Sequence, residues 1–112
     1  MPTITSGDTA PIAVTLTLNG SAYTLTAGTD TVKAAWCDLK TGSLITAAVA
    51  QTSSVTGASW ASGIVGVQFD ATNMNLLDNY DGQIIALEIQ VTKPSGIQTF
   101  RPTYTCRRGL IP

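Results

Sequence analysis

Ile12-Ala13-Val14-Thr15-Leu16-Thr17-Leu18-Asn19-Gly20 is the stretch whose reading decides the fold. Ile12, Val14, Leu16 and Leu18 share one side of an extended chain, and Ala13, Thr15 and Thr17 the other, which is the two-residue period of a half-buried strand. Asn19 and Gly20 both tolerate the positive φ of a tight hairpin turn. Ser21 to Leu25 is therefore expected to return beside the first strand, with Tyr23 and Leu25 in phase.

The same period continues outward. Thr31 to Leu39 places Val32, Ala34 and Trp36 on one face and Lys33, Ala35, Cys37 and Leu39 on the other, which makes Trp36 the leading core residue. After the turn Lys40-Thr41-Gly42, the segment Leu44 to Gln51 is Ala-rich and helical by propensity, but its flanking Thr and Ser residues favour a strand. Thr52 to Gly63 is a small-residue connection in which Trp60 either plugs the core edge or faces a partner. Ile64 to Phe69 is a short apolar strand, and Asp70 or Thr72 caps the one expected helical turn, packing Met74 and Leu77 inward.

Asp81-Gly82 leads into Gln83 to Val91, with Ile85, Leu87, Ile89 and Val91 on one face and Ile84, Ala86, Glu88 and Gln90 opposite. Lys93 to Gly96 forms a second hairpin connection into Ile97 to Cys106, where Pro102 lacks a backbone donor and belongs at an edge or bulge. About seven strands spaced by roughly ten residues describe an all-β protein, an antiparallel β-sandwich with one short helical turn. It is a single domain over residues 1–112, with short arms at Met1–Pro11 and Arg107–Pro112 that fray or strap onto a neighbour.

Charge is scarce: six Lys or Arg, seven Asp or Glu and no histidine in 112 residues. A monomer of this mass exposes roughly 5,800 Å², or about one charge per 450 Å², near half the usual density. Much of the exterior is thus expected to face other protein. With Arg107-Arg108 the only adjacent basic pair, a nucleic-acid footprint is missing, and no run approaches the roughly 20 apolar residues of a membrane helix. The Met1-Pro2-Thr3 start lacks a signal-peptide pattern, so synthesis in a cytosol is expected.

Catalytic and cofactor chemistry finds little support. Without histidine, proton transfer falls to carboxylates, Cys, Lys or Tyr. Asp78 and Asp81 are a close carboxylate pair, but their spacing departs from a calcium loop and suits a turn. Glu88 is expected to face solvent or pair with Arg101, and Cys37 has only Lys33 or Lys40 as weak candidate activators. Cys37 and Cys106 follow no metal spacing and read as buried thiols, a disulfide being the lesser alternative. No catalytic, cofactor-binding or metal residue is assigned.

Several phrases carry a resemblance. Ile4-Thr5-Ser6-Gly7-Asp8-Thr9-Ala10-Pro11 precedes the first strand; Tyr23 to Gly28 and Thr31 to Ala35 follow it; Gly63 to Phe69, the helical turn, Asp81-Gly82 and Leu87 to Gly96 complete the order. This order resembles the immunoglobulin-like N-terminal domains of tailed-phage baseplate upper proteins and related small virion proteins, across nearly the whole chain. The resemblance implies a non-enzymatic virion subunit. The chain departs from those relatives by stopping where a fibre-bearing extension would follow, so an accessory role as a capsid decoration (cement) protein or a tail or baseplate adaptor is expected at least as much as a fibre-attaching one.

Its implied partners are other virion proteins, whether major capsid or tail and baseplate proteins, together with further copies of itself. Apolar, Thr-rich faces and the terminal arms would dock, with Trp60, Arg107, Arg108, Leu110 and Ile111 as interface candidates. Trp60→Ala or removal of Arg107 to Pro112 is then expected to weaken incorporation while leaving a folded domain. The alternative is a carbohydrate-binding module for host adhesion, with Tyr23, Trp36, Trp60, Tyr80 and Tyr104 as stacking candidates.

Overall fold

The computed structural model describes residues 1–111. Eleven strands form in chain order: β1 (Thr3–Thr5), β2 (Ile12–Thr15), β3 (Thr17–Leu18), β4 (Ser21–Ala22), β5 (Thr31–Asp38), β6 (Ser43–Leu44), β7 (Val49–Gln51), β8 (Ile64–Val67), β9 (Ile84–Lys93), β10 (Gly96–Phe100) and β11 (Thr103–Arg107). Three of the seven expected runs are each cut in two, and β1 is new. The short helix α1 (Ala71–Asn75) runs into a 3-10 turn at Leu76–Tyr80, and a second 3-10 turn, which the sequence did not suggest, covers Trp60–Ser62.

The large sheet has the order β1-β11-β9-β5-β6, with β10 extending β11 along β9 and β7 following β6 along β5. Its pairings are antiparallel except for β1 beside β11, where Thr3, Ile4 and Thr5 run parallel to Thr105, Cys106 and Arg107. The N-terminal arm is therefore partly a sheet strand and does not fray at β1, with Ile4 buried. The β2–β8 pair and the β3–β4 hairpin form the opposing layer, giving an all-β sandwich.

Each cut has a local cause. At Leu16 the chain changes partner: its N–H donates to the Gly63 carbonyl at 2.7 Å, whereas its carbonyl accepts from Tyr23 at 2.9 Å. Gly63 has φ 78°, and a Cβ there would lie 3.1 Å from the Tyr23 backbone and 3.2 Å from the Leu16 oxygen, so this crossing needs glycine. Between β6 and β7, Cys37↔Leu44 and Ala34↔Val49 leave more chain on the partner side than on β5. The excess bulges out, and Thr46 Oγ1 accepts the Trp36 N–H at 3.0 Å.

Pro102 accounts for the third cut. Leu87 N–H donates to its carbonyl at 2.9 Å, but proline has no N–H to return. The register from Gly96↔Lys93 to Thr105↔Ile84 nonetheless continues through it, so the edge reading holds and no bulge forms.

One core joins the layers. Trp36 is fully buried, against Tyr104 at a centroid distance of 5.3 Å and Phe69 at 6.0 Å. Val32, Ile85, Leu87, Ile89 and Val91 supply the rest of the large sheet's inner face, and Val14, Leu16, Val65 and Val67 face them. Asp70 caps α1 by accepting the Asn73 N–H at 2.9 Å, which turns Met74 and Leu77 inward as the sequence suggested.

The buried Gln51 side chain closes the edge between the layers. Its Oε1 accepts from Gln68 N–H at 3.0 Å, and its Nε2 donates to the Gln68 carbonyl at 3.1 Å, so one amide imitates a strand residue. Gln51→Ala strands both Gln68 groups and is expected to cost about 2–3 kcal/mol, read as a lower urea midpoint at unchanged slope. Gln51→Glu keeps an acceptor but loses the donor, and should fall between.

Candidate functional site

The outward face of the large sheet departs from ordinary strand alternation. Outward positions on β5 and its continuation are Thr31, Lys33, Ala35, Cys37 and Leu39, and those on β9 are Ile84, Ala86, Glu88, Gln90 and Thr92. A solvent-facing antiparallel sheet is normally polar there. Here Thr31, Lys33, Glu88, Gln90 and Thr92 are polar, and they gather at one end. Arg101 joins them through an ion pair to Glu88 at 2.7 Å, one of the two places the sequence allowed that carboxylate.

The other end is apolar, with Arg107, two residues beyond Thr105 on the same side of β11, at its margin. Cys37 pairs with Leu44 on one side and Ala86 on the other, while Ile84 pairs with Thr105. Thr105 in turn pairs with Thr3 and touches Met1, its Oγ1 3.5 Å from the Met1 sulfur. Leu44 is 52% exposed and Ile84 50%, with Leu39 similar and Met1 more so. Between them Ala35, Cys37 and Ala86 are buried because they are small and their larger neighbours shadow them. The product is a patch of Ile, Leu, Met, Ala and Thr over which none of the other described elements packs.

The five sequence candidates separate. Trp60 is 7% exposed and plugs the core edge, one of the two places its sequence context allowed. Its 3-10 turn presses the indole inward, and Leu25 N–H bonds its carbonyl at 2.9 Å. Trp60→Ala would hollow the core, which makes it a poor probe of docking. Arg107 and Arg108 are exposed, as are Leu110 at 90% and Ile111 at 92%.

The C-terminal arm is latched short of its tip. Arg108 N–H donates to Asp81 at 3.0 Å, Gly109 N–H donates to Ser6 Oγ at 3.0 Å, and the Ser6 hydroxyl donates to Asp78. Asp78 and Asp81 thus serve the latch, and among the described residues no three Cys, Asp or Glu side chains gather as a metal site would need. Pro112 lies outside the described residues.

A cavity of about 400 Å³ opens at the far end of β5, lined by Gly28, Val32, Ala50, Thr52 and Trp60 among others. Asp30 sits at its rim, accepting from Thr26 N–H at 2.8 Å and Lys93 Nζ at 3.1 Å. The backbone bond from Thr26, then Lys93, holds its carboxyl below the ordinary 3.8 against the opposing effect of burial. A depressed carboxylate stabilises the fold above its unfolded value, and that contribution fades as pH drops through the folded value. Below about pH 4 the melting temperature is therefore expected to fall more steeply for wild type than for Asp30→Asn, measured by thermal melts from pH 2 to 6.

Both cysteines are free and buried, on opposite faces of the sheet. Cys106 faces the core, where burial first, then Asp81 and Asp78, push its thiol up. No protein-family model, curated protein or solved structure matches this chain. No helix among the described residues is long and apolar enough to cross a membrane.

Proposed function

We propose that this chain is a non-enzymatic structural subunit of a virion, an accessory protein that docks on other virion proteins through the outward face of its large sheet. The observation that carries the reading is the uncharged patch of Cys37, Leu39, Leu44, Ile84 and Ala86, open on a sheet face that would otherwise alternate with polar residues. Burial of weakly hydrated surface drives such docking, and the adjoining Glu88–Arg101 pair and Lys33 set its register.

The resemblance to phage baseplate and virion domains supplies the setting: a capsid decoration protein or a tail or baseplate adaptor. Scarce charge over the whole chain agrees with a surface largely covered by protein. Docking on protein is preferred to glycan binding because, of the five aromatic candidates, Trp36, Trp60 and Tyr104 lie in the core, while Tyr23, edge-on against Phe100 at 5.1 Å, and Tyr80 are half-buried. Leu44→Lys/Ile84→Lys tests the proposal: the variant should fold and yet be missing from purified particles, and wild-type occupancy would refute it.

A further inference from the structure

We infer that copies of this chain join head to tail, the Leu110–Ile111 tip of one copy entering the Val32–Trp60 cavity of the next. This rests on the assembly reading above and adds a partner, a second copy, at a surface separate from the outward sheet face.

The tip leaves from an anchored point. The bonds of Arg108 to Asp81 and Gly109 to Ser6 hold the arm up to Gly109, and a Cβ at Gly109 would lie 2.6 Å from the Ser6 carbonyl oxygen. Close approach at that point requires glycine. Immediately beyond the latch, Leu110 and Ile111 are almost wholly exposed. Two large aliphatic side chains held out in water carry a free-energy cost that burial in an apolar site removes.

The cavity suits them in size and chemistry. An aliphatic side chain fills on the order of 150 Å³ of packed interior, so the pair needs roughly 300 Å³. The cavity offers about 400 Å³, mainly apolar, floored by Val32 and Trp60. Asp30 at the rim is already neutralised by Lys93 at 3.1 Å.

Placement decides the occupant. The arm leaves the end of the sheet marked by Thr105↔Ile84, and the cavity opens at the end marked by Thr31↔Thr92. Those ends are about 26 Å apart at the usual rise per strand residue, whereas two residues beyond Gly109 span at most about 7 Å. No copy reaches its own cavity. Complementary halves at opposite ends of one chain make a heterologous contact, which closes a ring or extends a filament.

Sedimentation velocity of the whole chain up to about 1 mM tests this, using Leu110→Asp/Ile111→Asp to remove the tip and Thr52→Trp or Ala50→Arg to plug the cavity. Near-ultraviolet circular dichroism checks that each variant is folded. Wild type should grow past a dimer with concentration, and each variant alone should associate at least about 100-fold more weakly. Mixing the tip variant with a plugged one should give dimers that grow no further, since one supplies only a cavity and the other only a tip. A monomeric wild type, a tip variant that associates like wild type, or mixtures that stay monomeric would overturn head-to-tail joining. A monomeric wild type that still enters particles in a Leu44- and Ile84-dependent way would sink this contact alone and leave the docking face standing.

Discussion

Trp36→Ala is expected to remove about 3–5 kcal/mol of stability, a large part of the 5–15 kcal/mol that holds a domain of this size. The indole is fully buried at the centre of β5, with Tyr104 edge-on, Phe69 tilted across it, and Leu87 directly opposite in the ladder. Neighbours anchored in two sheets cannot collapse into the vacated space, so most of the cavity cost remains. Trp36→Phe should lose far less, because the indole Nε1 has no hydrogen-bond partner and phenylalanine sacrifices only volume. Urea titration separates the two: the alanine midpoint should drop by most of its range, with the slope unchanged if unfolding stays two-state.

The second large effect is on docking and leaves the fold intact. Ile84 and Leu44 are half exposed, so lysine at either position meets water in the free chain and changes stability by about 0.5 kcal/mol. Covered by a partner, each aliphatic side chain contributes about 1–2 kcal/mol, and a lysine in its place adds a charge without a counterion. The double change is expected to weaken docking by about 4 kcal/mol or more, roughly a thousandfold. Copy number per purified particle, by quantitative mass spectrometry, reads this directly. Glu88→Gln in the adjoining polar end is the contrast, since an exposed pair such as Glu88–Arg101 contributes little.

How much of this was legible before the coordinates follows from the range of each interaction. The alternation in Gln83 to Val91 placed Ile85, Leu87, Ile89 and Val91 inside, and all four are fully buried. Asn19-Gly20 adopts φ 54° and 82°, as its turn chemistry required. The strand cuts at Leu16 and Thr46 escaped notice because each answers a partner distant in sequence, Gly63 and Trp36. The parallel pairing of β1 was missed because a three-residue arm carries no periodic signal.

The docking face was half visible. Lys33, Ala35, Cys37 and Leu39 were recognised as one side of a strand, and Ile84, Ala86, Glu88 and Gln90 as one side of another. Their unusual shortage of polar residues was the available signal. Trp60 was ambiguous for the opposite reason: a tryptophan amid small polar residues suits either the core edge or a partner until the 3-10 turn folds it under.

By itself the sequence determined the strand periodicity, the hairpin turns, the capped helical turn and the central place of Trp36, because these depend on side-chain order within a few residues. Tertiary structure alone decided which outward faces lie side by side, that Gln51 closes the sandwich edge, and that the apolar tip and the apolar cavity stand at opposite ends. Those facts are set by register between strands dozens of residues apart, a quantity that short-range pattern does not encode.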